Sequence, residues 1–344
     1  MKNRIFFYDL VRVVACIMVV VMHAPMPSKN IVGVFTWGIT YFTMPCIGLF
    51  FTVSGALLLP VSCSNNDSIT FVKRRIKKFV VPVFIWSIIY LLVQGVFFTG
   101  DINNIMRSLC SIPFRRQEGV LWFMYTLVGL YLIAPVISPW LEQASKRTIQ
   151  VYLGIWGISL LYPYLKPFVE IEESAYGICY YTSGFVGYFV LGYYLRRYGL
   201  DLSLKCSLGG YLIMQTIPVF FKIFIDDKEL CFGDIFWYLS VDSPILVVLW
   251  WNILKRMAGY MEHNDRLKKS CIIFSDMSFG IYLSHILIMR YGLWHIQEIM
   301  CINNYIIQTI VIIVLTLLAS FFFCYVISLS PIGKYVICYN RRNK

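Results

Sequence analysis

The sequence predicts an all-α fold, a polytopic transmembrane helical bundle of about ten spans with both termini in the cytoplasm. Three observations predict it. Of 344 residues, 59% are hydrophobic and 14% charged, and the mean hydropathy is +0.69, a balance foreign to soluble domains of this size. Apolar runs close to the ~20 residues that a ~30 Å hydrocarbon core requires recur along the chain. Basic residues are asymmetric: with the N-terminus inside, 21 of the 30 Lys and Arg lie in cytoplasmic segments, 8 lie outside, and Arg12 sits within a span. That bias sets both termini inside.

The spans are expected near 6–24, 39–60, 79–99, 120–138, 149–165, 179–196, 206–224, 236–254, 270–291 and 306–329. The first carries Asp9 and Arg12 within its apolar stretch and has no small-residue cleavage site, which sets it apart from a secretory signal peptide. The second ends on Ser54-Gly55 and Pro60. The third follows a basic run, the fourth opens on Leu121-Trp122-Phe123, and the fifth is interrupted by Pro163 and Pro167. The remaining five alternate apolar runs with short polar connections. Connections of about 20 residues at most (100–119 outside, 61–78 inside) leave no room for an inserted soluble domain. Residues 1–344 therefore read as a single integral-membrane domain with no fused extracytoplasmic domain.

A net charge of +12 is compatible with nucleic-acid binding by magnitude alone. Its distribution argues against that partner, because most of the surplus is topological, and its natural contacts are membrane lipids. The eleven cysteines are scattered without a close Cys-x-x-Cys pair and read as small buried hydrophobes. Cys110 and Cys231 both fall outside the cytoplasm, which permits a pairing that sequence does not decide. Four histidines without ligand spacing give no zinc signal, so no metal is expected.

Ionisable residues inside spans mark function when they face a bundle interior. Arg12 and His23 are eleven residues apart. At ~100° per residue that is within about 20° of whole turns, so they share a face roughly 16 Å apart along the axis. Asp9, three residues before Arg12, joins that face. Phe71-Val-Lys73-Arg74-Arg75-Ile-Lys77-Lys78 places five cations just before the third span. It reads either as a lipid-facing anchor or as a phosphate site, with Arg75 and Lys78 on one helical face. Ser54-Gly55 reads as close helix packing or as a backbone approach to a ligand. Glu118, Trp122 and Tyr125 open the fourth span as an interfacial belt or a binding surface. Tyr282 and His285, at i and i+3, lie at the depth of His23 in another span. Asp242 is a further in-span acid, functional or simply hydrogen-bonded within the bundle.

These residues resemble the integral-membrane acyltransferase family 3, the bacterial O-acyltransferases that modify surface glycans. The resemblance spans nearly the whole chain. Its motifs are Asp-Leu-x-Arg12 with His23, Phe-Phe-x-x-Ser54-Gly-x-Leu, Arg75-x-x-Lys78-x-x-x-Pro82, Leu121-Trp-Phe-Met-Tyr125, Leu191-Gly-Tyr-Tyr-Leu195 and Ser278-Phe-Gly-Ile-Tyr282-Leu-Ser-His285. Three departures stand out. Val120 stands where many members have His, Lys78 replaces a commoner Arg, and the esterase-like domain fused to some members is absent.

The resemblance implies acetyl-CoA as acyl donor and a glycan or glycolipid hydroxyl as acceptor. It implies a multi-pass place in the bacterial inner membrane, with a separate acyl-transfer or glycan-assembly protein as a possible partner. His23 and Arg12 are then the catalytic candidates. Arg75, Lys78, Ser54 and Arg12 are the donor-binding candidates, and Trp122, Tyr125, Glu118, Tyr282 and His285 the acceptor-binding ones. His23 serves either as general base or as transient acyl carrier. Arg115 and Arg116 are expected to meet an anionic glycan or lipid phosphate. Succinyl transfer, and transport of a lipid-linked glycan, are the competing functions. The absence of a convincing internal repeat weighs against the latter.

Overall fold

Without water, a spanning backbone satisfies its N–H and C=O groups within each segment, which makes helices obligatory for these apolar runs. The computed structural model describes residues 4–26, 31–61, 65–165, 169, 177–224 and 236–339, and all regular structure among them is helical. In chain order the helices are α1 (Phe6–His23), α2 (Ile31–Thr40), α3 (Pro45–Leu58), α4 (Asn65–Val93), α5 (Ile102–Ser111), α6 (Trp122–Gln143), α7 (Lys146–Ser159), α8 (Tyr162–Leu165), α9 (Val186–Tyr198), α10 (Leu204–Phe224), α11 (Asp242–Met261), α12 (Asp265–Arg290), α13 (Gln297–Met300), α14 (Tyr305–Ser328) and α15 (Gly333–Val336).

Among the described residues, seven stretches are long and apolar enough to cross a membrane: Phe6–His23, Val32–Leu58, Asp67–Val93, Gly119–Gln143, Leu204–Phe221, Asp265–His295 and Tyr305–Ser328. The expected spans at 149–165 and 179–196 correspond to helices of 14 and 13 residues, α7 and α9. At ~1.5 Å per residue each covers only about 20 Å, short of a full hydrocarbon core. The expected span at 236–254 becomes the 20-residue α11, which carries Asp242, Asn252, Lys255 and Arg256 and is less apolar than the seven.

The chain forms two compact units. One comprises Met1–Val61 and Ala134–Ser275, the other Ser62–Ile133 and Asp276–Lys344. In the first, α1 lies against α3 and α11. Phe7 meets Trp251 edge-on at 4.8 Å near one end of α1, and the Tyr238 hydroxyl donates to Met22 Sδ at 3.0 Å near the other. Helices α3 and α9 touch backbone to backbone. A Cβ on Gly55 would stand 1.9 Å from the Phe189 carbonyl oxygen, and one on Gly192 1.9 Å from that of Thr52. The Ser54-Gly55 motif is thus, at its glycine, a packing device of the kind small residues provide between membrane helices.

In the second unit, α4 is anchored by two buried aromatic donors. Trp86 Nε1 donates to the Val336 carbonyl at 3.0 Å, and the Tyr90 hydroxyl to that of Leu283 at 2.9 Å. Pro82 lies inside α4 and has no N–H for the carbonyl four residues before it, that of Lys78. The Cys338 thiol, just beyond α15, donates to that carbonyl at 3.0 Å. Nine cysteines are described. Five of them are buried, while Cys110 is exposed; its considered partner Cys231 lies outside the described residues.

Candidate functional site

In the first unit, the N-terminal end of α1 and the C-terminal ends of α3 and α9 border an open-sided cavity of about 560 Å³, lined by Arg4, Ile5, Tyr8, Asp9, Arg12, Leu57 and Arg196. That volume lies within the ~300–1,000 Å³ typical of small-molecule sites. The reciprocal glycine contact brings the end of α9 against the end of α3. There Arg196 Nη1 donates to the Ala56 carbonyl at 2.6 Å, capping one of the terminal carbonyls that α3 cannot satisfy internally.

Asp9 is buried and answered on several sides. Arg4 grips its carboxylate with two bonds, Nε to Oδ2 at 2.6 Å and Nη2 to Oδ1 at 2.8 Å. Ser275 Oγ donates to Oδ1 at 2.8 Å. Arg12 Nη1 stands 3.8 Å from the same oxygen. The i, i+3 pair of Asp9 and Arg12 therefore exists, but the closer, forked partner is Arg4. The lining thus sets three guanidinium groups beside one carboxylate. Guanidinium forks match phosphate oxygens, so this cavity is chemically suited to a phosphorylated anion.

His23 is the last residue of α1 and is half-buried. The uninterrupted helix holds it about 16 Å from Arg12 by rise. Ser54 is half-buried on α3, and Leu57 rather than Ser54 contributes to the cavity wall. Arg4, Ile5, Tyr8 and Arg196 are lining residues that sequence reasoning did not single out. Arg196 follows directly on the Leu191–Leu195 motif, the one signal that pointed toward it.

The second unit holds the other candidates. Arg75 lies over two aromatic rings, Phe71 at 5.3 Å and Tyr131 at 5.5 Å. The space it shares with Val72, Ile76, Val128 and Leu132 admits no water-sized molecule. Lys78 is exposed, and its ammonium lies 5.6 Å from the Phe79 ring centre. Glu118 accepts from Tyr291 at 2.9 Å and from Gln94 at 3.2 Å, and its other oxygen caps Gly119 N at 2.9 Å. The Tyr125 hydroxyl donates to the carbonyls of Ile112 and Arg115, and that of Tyr282 to the Val120 carbonyl at 2.6 Å. Both tyrosines thus fasten residues 112–120, with exposed Arg115 and Arg116, to the helices. His285 is fully buried, with Nδ1 2.5 Å from the Tyr282 carbonyl, and Trp122 is half-buried at the start of α6. Among the described residues no cluster of His, Cys, Asp or Glu is placed to hold a metal ion.

Asp242, left open by the sequence, is buried at the start of α11. Its Oδ1 accepts from the Tyr164 hydroxyl at 2.8 Å. Beside it, Tyr188 donates to Ser243 Oγ at 2.7 Å and to the Tyr238 carbonyl at 2.6 Å. This network ties α8, α9 and α11 together.

The molecule is thus a multi-pass helical membrane protein in which one helix bears an arginine-lined cavity at its start and a histidine at its end. The acyltransferase domain family model matches residues 5–329, and the chain belongs to this family, the integral-membrane acyltransferase family 3. It is a membrane acyltransferase. No curated protein and no solved structure matches it.

Proposed function

We propose that this acyltransferase moves an acetyl group from cytoplasmic acetyl-CoA to a hydroxyl of a surface or exported polysaccharide in the bacterial inner membrane. The observation that carries the reading is the layout of α1, with a cationic cavity around Arg12 and a single histidine about 16 Å further along the same helix. A CoA thioester is anionic at one end and reactive at the other, with a neutral pantetheine arm between. A cation-to-imidazole spacing of this order suits such a donor. The basic bias of the connections puts Arg12 toward the cytoplasm and His23 toward the opposite face.

In the proposed reaction, neutral His23 takes the proton of the acceptor hydroxyl as its oxygen attacks the thioester carbonyl. The C–O bond forms, the C–S bond breaks, and the departing CoA thiolate receives a proton. The same imidazole serves as nucleophile if the acetyl group rests on it first. Arg12 orients the donor. Arg75 and Lys78 supply cations of the type its phosphates require, and Ser54 is proposed near its path. Glu118, Trp122, Tyr125, Tyr282 and His285 are proposed for the acceptor. The hydroxyls of Tyr125 and Tyr282 act there through the 112–120 segment that they fasten.

Mass spectrometry of surface glycans tests this reading in a deletion strain and in strains complemented with wild type or His23→Ala. Acetyl groups that return only with wild type support it. Succinyl groups in their place would change the donor. Loss of the entire glycan would point to transport. Purified protein should also release free CoA from acetyl-CoA when acceptor is present.

A further inference from the structure

Arg196 and Arg197 end the same helix at nearly the same level, and to a topological rule they are equivalent. Their side chains do different things. Arg197 turns to its own helix, donating to the Tyr193 hydroxyl and lying 5.5 Å from the Tyr198 ring centre. Arg196 turns to the cavity, where one N–H is spent on the Ala56 carbonyl. A guanidinium has five N–H donors, and this side chain is exposed. Of the three cavity arginines, Arg4 grips Asp9 at two points and Arg12 stands 3.8 Å from the same carboxylate, whereas Arg196 is bonded to a neutral carbonyl.

We infer that Arg196 is a donor-binding residue: bonded to the Ala56 carbonyl at the end of α3, it contacts a phosphate group of the acyl donor in the α1–α3–α9 cavity. This rests on the proposed use of a CoA thioester and adds a residue, a ligand group and a site to it. Phosphate chemistry has two sources at a membrane surface, the soluble donor and an anionic lipid headgroup, and the test separates them.

The experiment uses the full chain in nanodiscs of zwitterionic lipid, with CoA, pantetheine and inorganic pyrophosphate as probes. The variants are Arg196→Gln, Arg196→Lys and Arg197→Gln, each checked for monodispersity and thermal midpoint. Losing a charge-assisted contact should weaken CoA binding about ten-fold or more in Arg196→Gln. Arg196→Lys should be intermediate, because it keeps the charge without the fork. Arg197→Gln should stay within about two-fold, since its cation does not line the cavity. Pantetheine, which has no phosphate, should not distinguish the variants.

Equal CoA affinity in wild type and a folded Arg196→Gln overturns the inference and leaves the donor reading intact. Equal losses in Arg196→Gln and Arg197→Gln overturn it too, in favour of general surface charge. If wild type binds no CoA but binds pyrophosphate through Arg196, the anion site stands and the CoA reading falls. If it binds neither, both fall. In nanodiscs containing phosphatidylglycerol, Arg196-dependent stabilisation by lipid without any effect on CoA would reassign the residue to a headgroup and overturn the inference.

Discussion

The Cys338 thiol donates to the carbonyl of Lys78, the acceptor that Pro82 leaves without its helical partner. The segment just after α15 thereby repairs a defect in α4 beside the basic run. Burial pushes this thiol up to about 12, so it remains a donor at neutral pH. Cys338→Ser should keep the contact. Cys338→Ala should lose it, costing up to about 1 kcal/mol, the lower part of the range for a neutral hydrogen bond. The Pro82→Ala background restores the missing N–H and should shrink that cost, so thermal midpoints of the double-mutant cycle measure the coupling directly. Because the folded thiol is raised above its ordinary value of 9.0, its contribution is complete below about pH 9 and fades as pH rises toward about 12. Alkylation of native Cys338 at pH 8 should accordingly be slow.

Gly55→Ala should destabilise the first unit. Its new Cβ would lie 1.9 Å from a backbone oxygen that no rotamer change can move. Overpacking of this kind costs about 1–3 kcal/mol, more than the ~1 kcal/mol gained by removing glycine from a helix. Gly154, in α7 of the same unit, faces open space. Gly154→Ala should be neutral or mildly stabilising. Thermal midpoints in one detergent compare the two variants, and equal midpoints would deny the α3–α9 backbone contact.

Apolar length made α1, the 32–58 stretch that ends in α3, α6, α10 and α14 legible, and with them the apolar parts of α4 and α12, whose helices begin earlier than expected and take in the charged residues that precede each span. The regions of α7, α9 and α11 were harder. Apolar composition persists there, while Gly184, Gly199 and the Asp242 turn cut the helices shorter or shift their bounds. Arg12 was legible because a cation in an apolar run has few explanations. Arg196 was not, since a basic residue at a helix end carries the same signal whether it faces headgroups or a cavity. Only the glycine contact with α3 settles its direction. Arg4 was missed as the partner of Asp9 because it precedes the helix, outside the i, i+3 and i, i+4 rule that paired Asp9 with Arg12.

Tyr125→Phe and Tyr282→Phe should act through the 112–120 segment. Each removes a hydroxyl that holds a carbonyl of that segment, a change worth about 0.5–1.5 kcal/mol. Arg115 and Arg116 are exposed there and provide a trypsin site. Limited trypsinolysis should nick both variants faster than wild type at this position. Unchanged cleavage alongside lost activity would instead place the hydroxyls on the acceptor.

Asp9→Asn should be the most costly single change around the cavity. The carboxylate accepts from Arg4 twice and from Ser275, and the amide would turn a donor toward one of them. Removing one partner of a fully buried ion pair costs about 3–5 kcal/mol. Arg4 is 37% exposed, so screening reduces this to about 1–3 kcal/mol. Arg4→Gln should lose less, because it leaves Ser275 and Arg12 beside the carboxylate. The double variant should fall short of additivity when thermal midpoints are compared. Strict additivity would mean that the fork contributes nothing to the fold.

Arg12→Gln and His23→Ala should separate donor binding from chemistry, because one helix holds them about 16 Å apart. Arg12 lines the cavity and His23 ends the helix. Under the proposed mechanism, Arg12→Gln weakens CoA binding and raises KM for acetyl-CoA. His23→Ala leaves CoA binding near wild type and lowers kcat by about 10²–10⁴, the range for a lost general base. A loss of CoA binding in His23→Ala would mean that the imidazole sits against the donor's phosphate end. Normal turnover in that variant would remove His23 from the reaction and shift attention to the fully buried His285. Steady-state kinetics and equilibrium CoA binding on the same reconstituted samples make the distinction, since a misfolded variant fails both measurements while a chemical defect fails only the first.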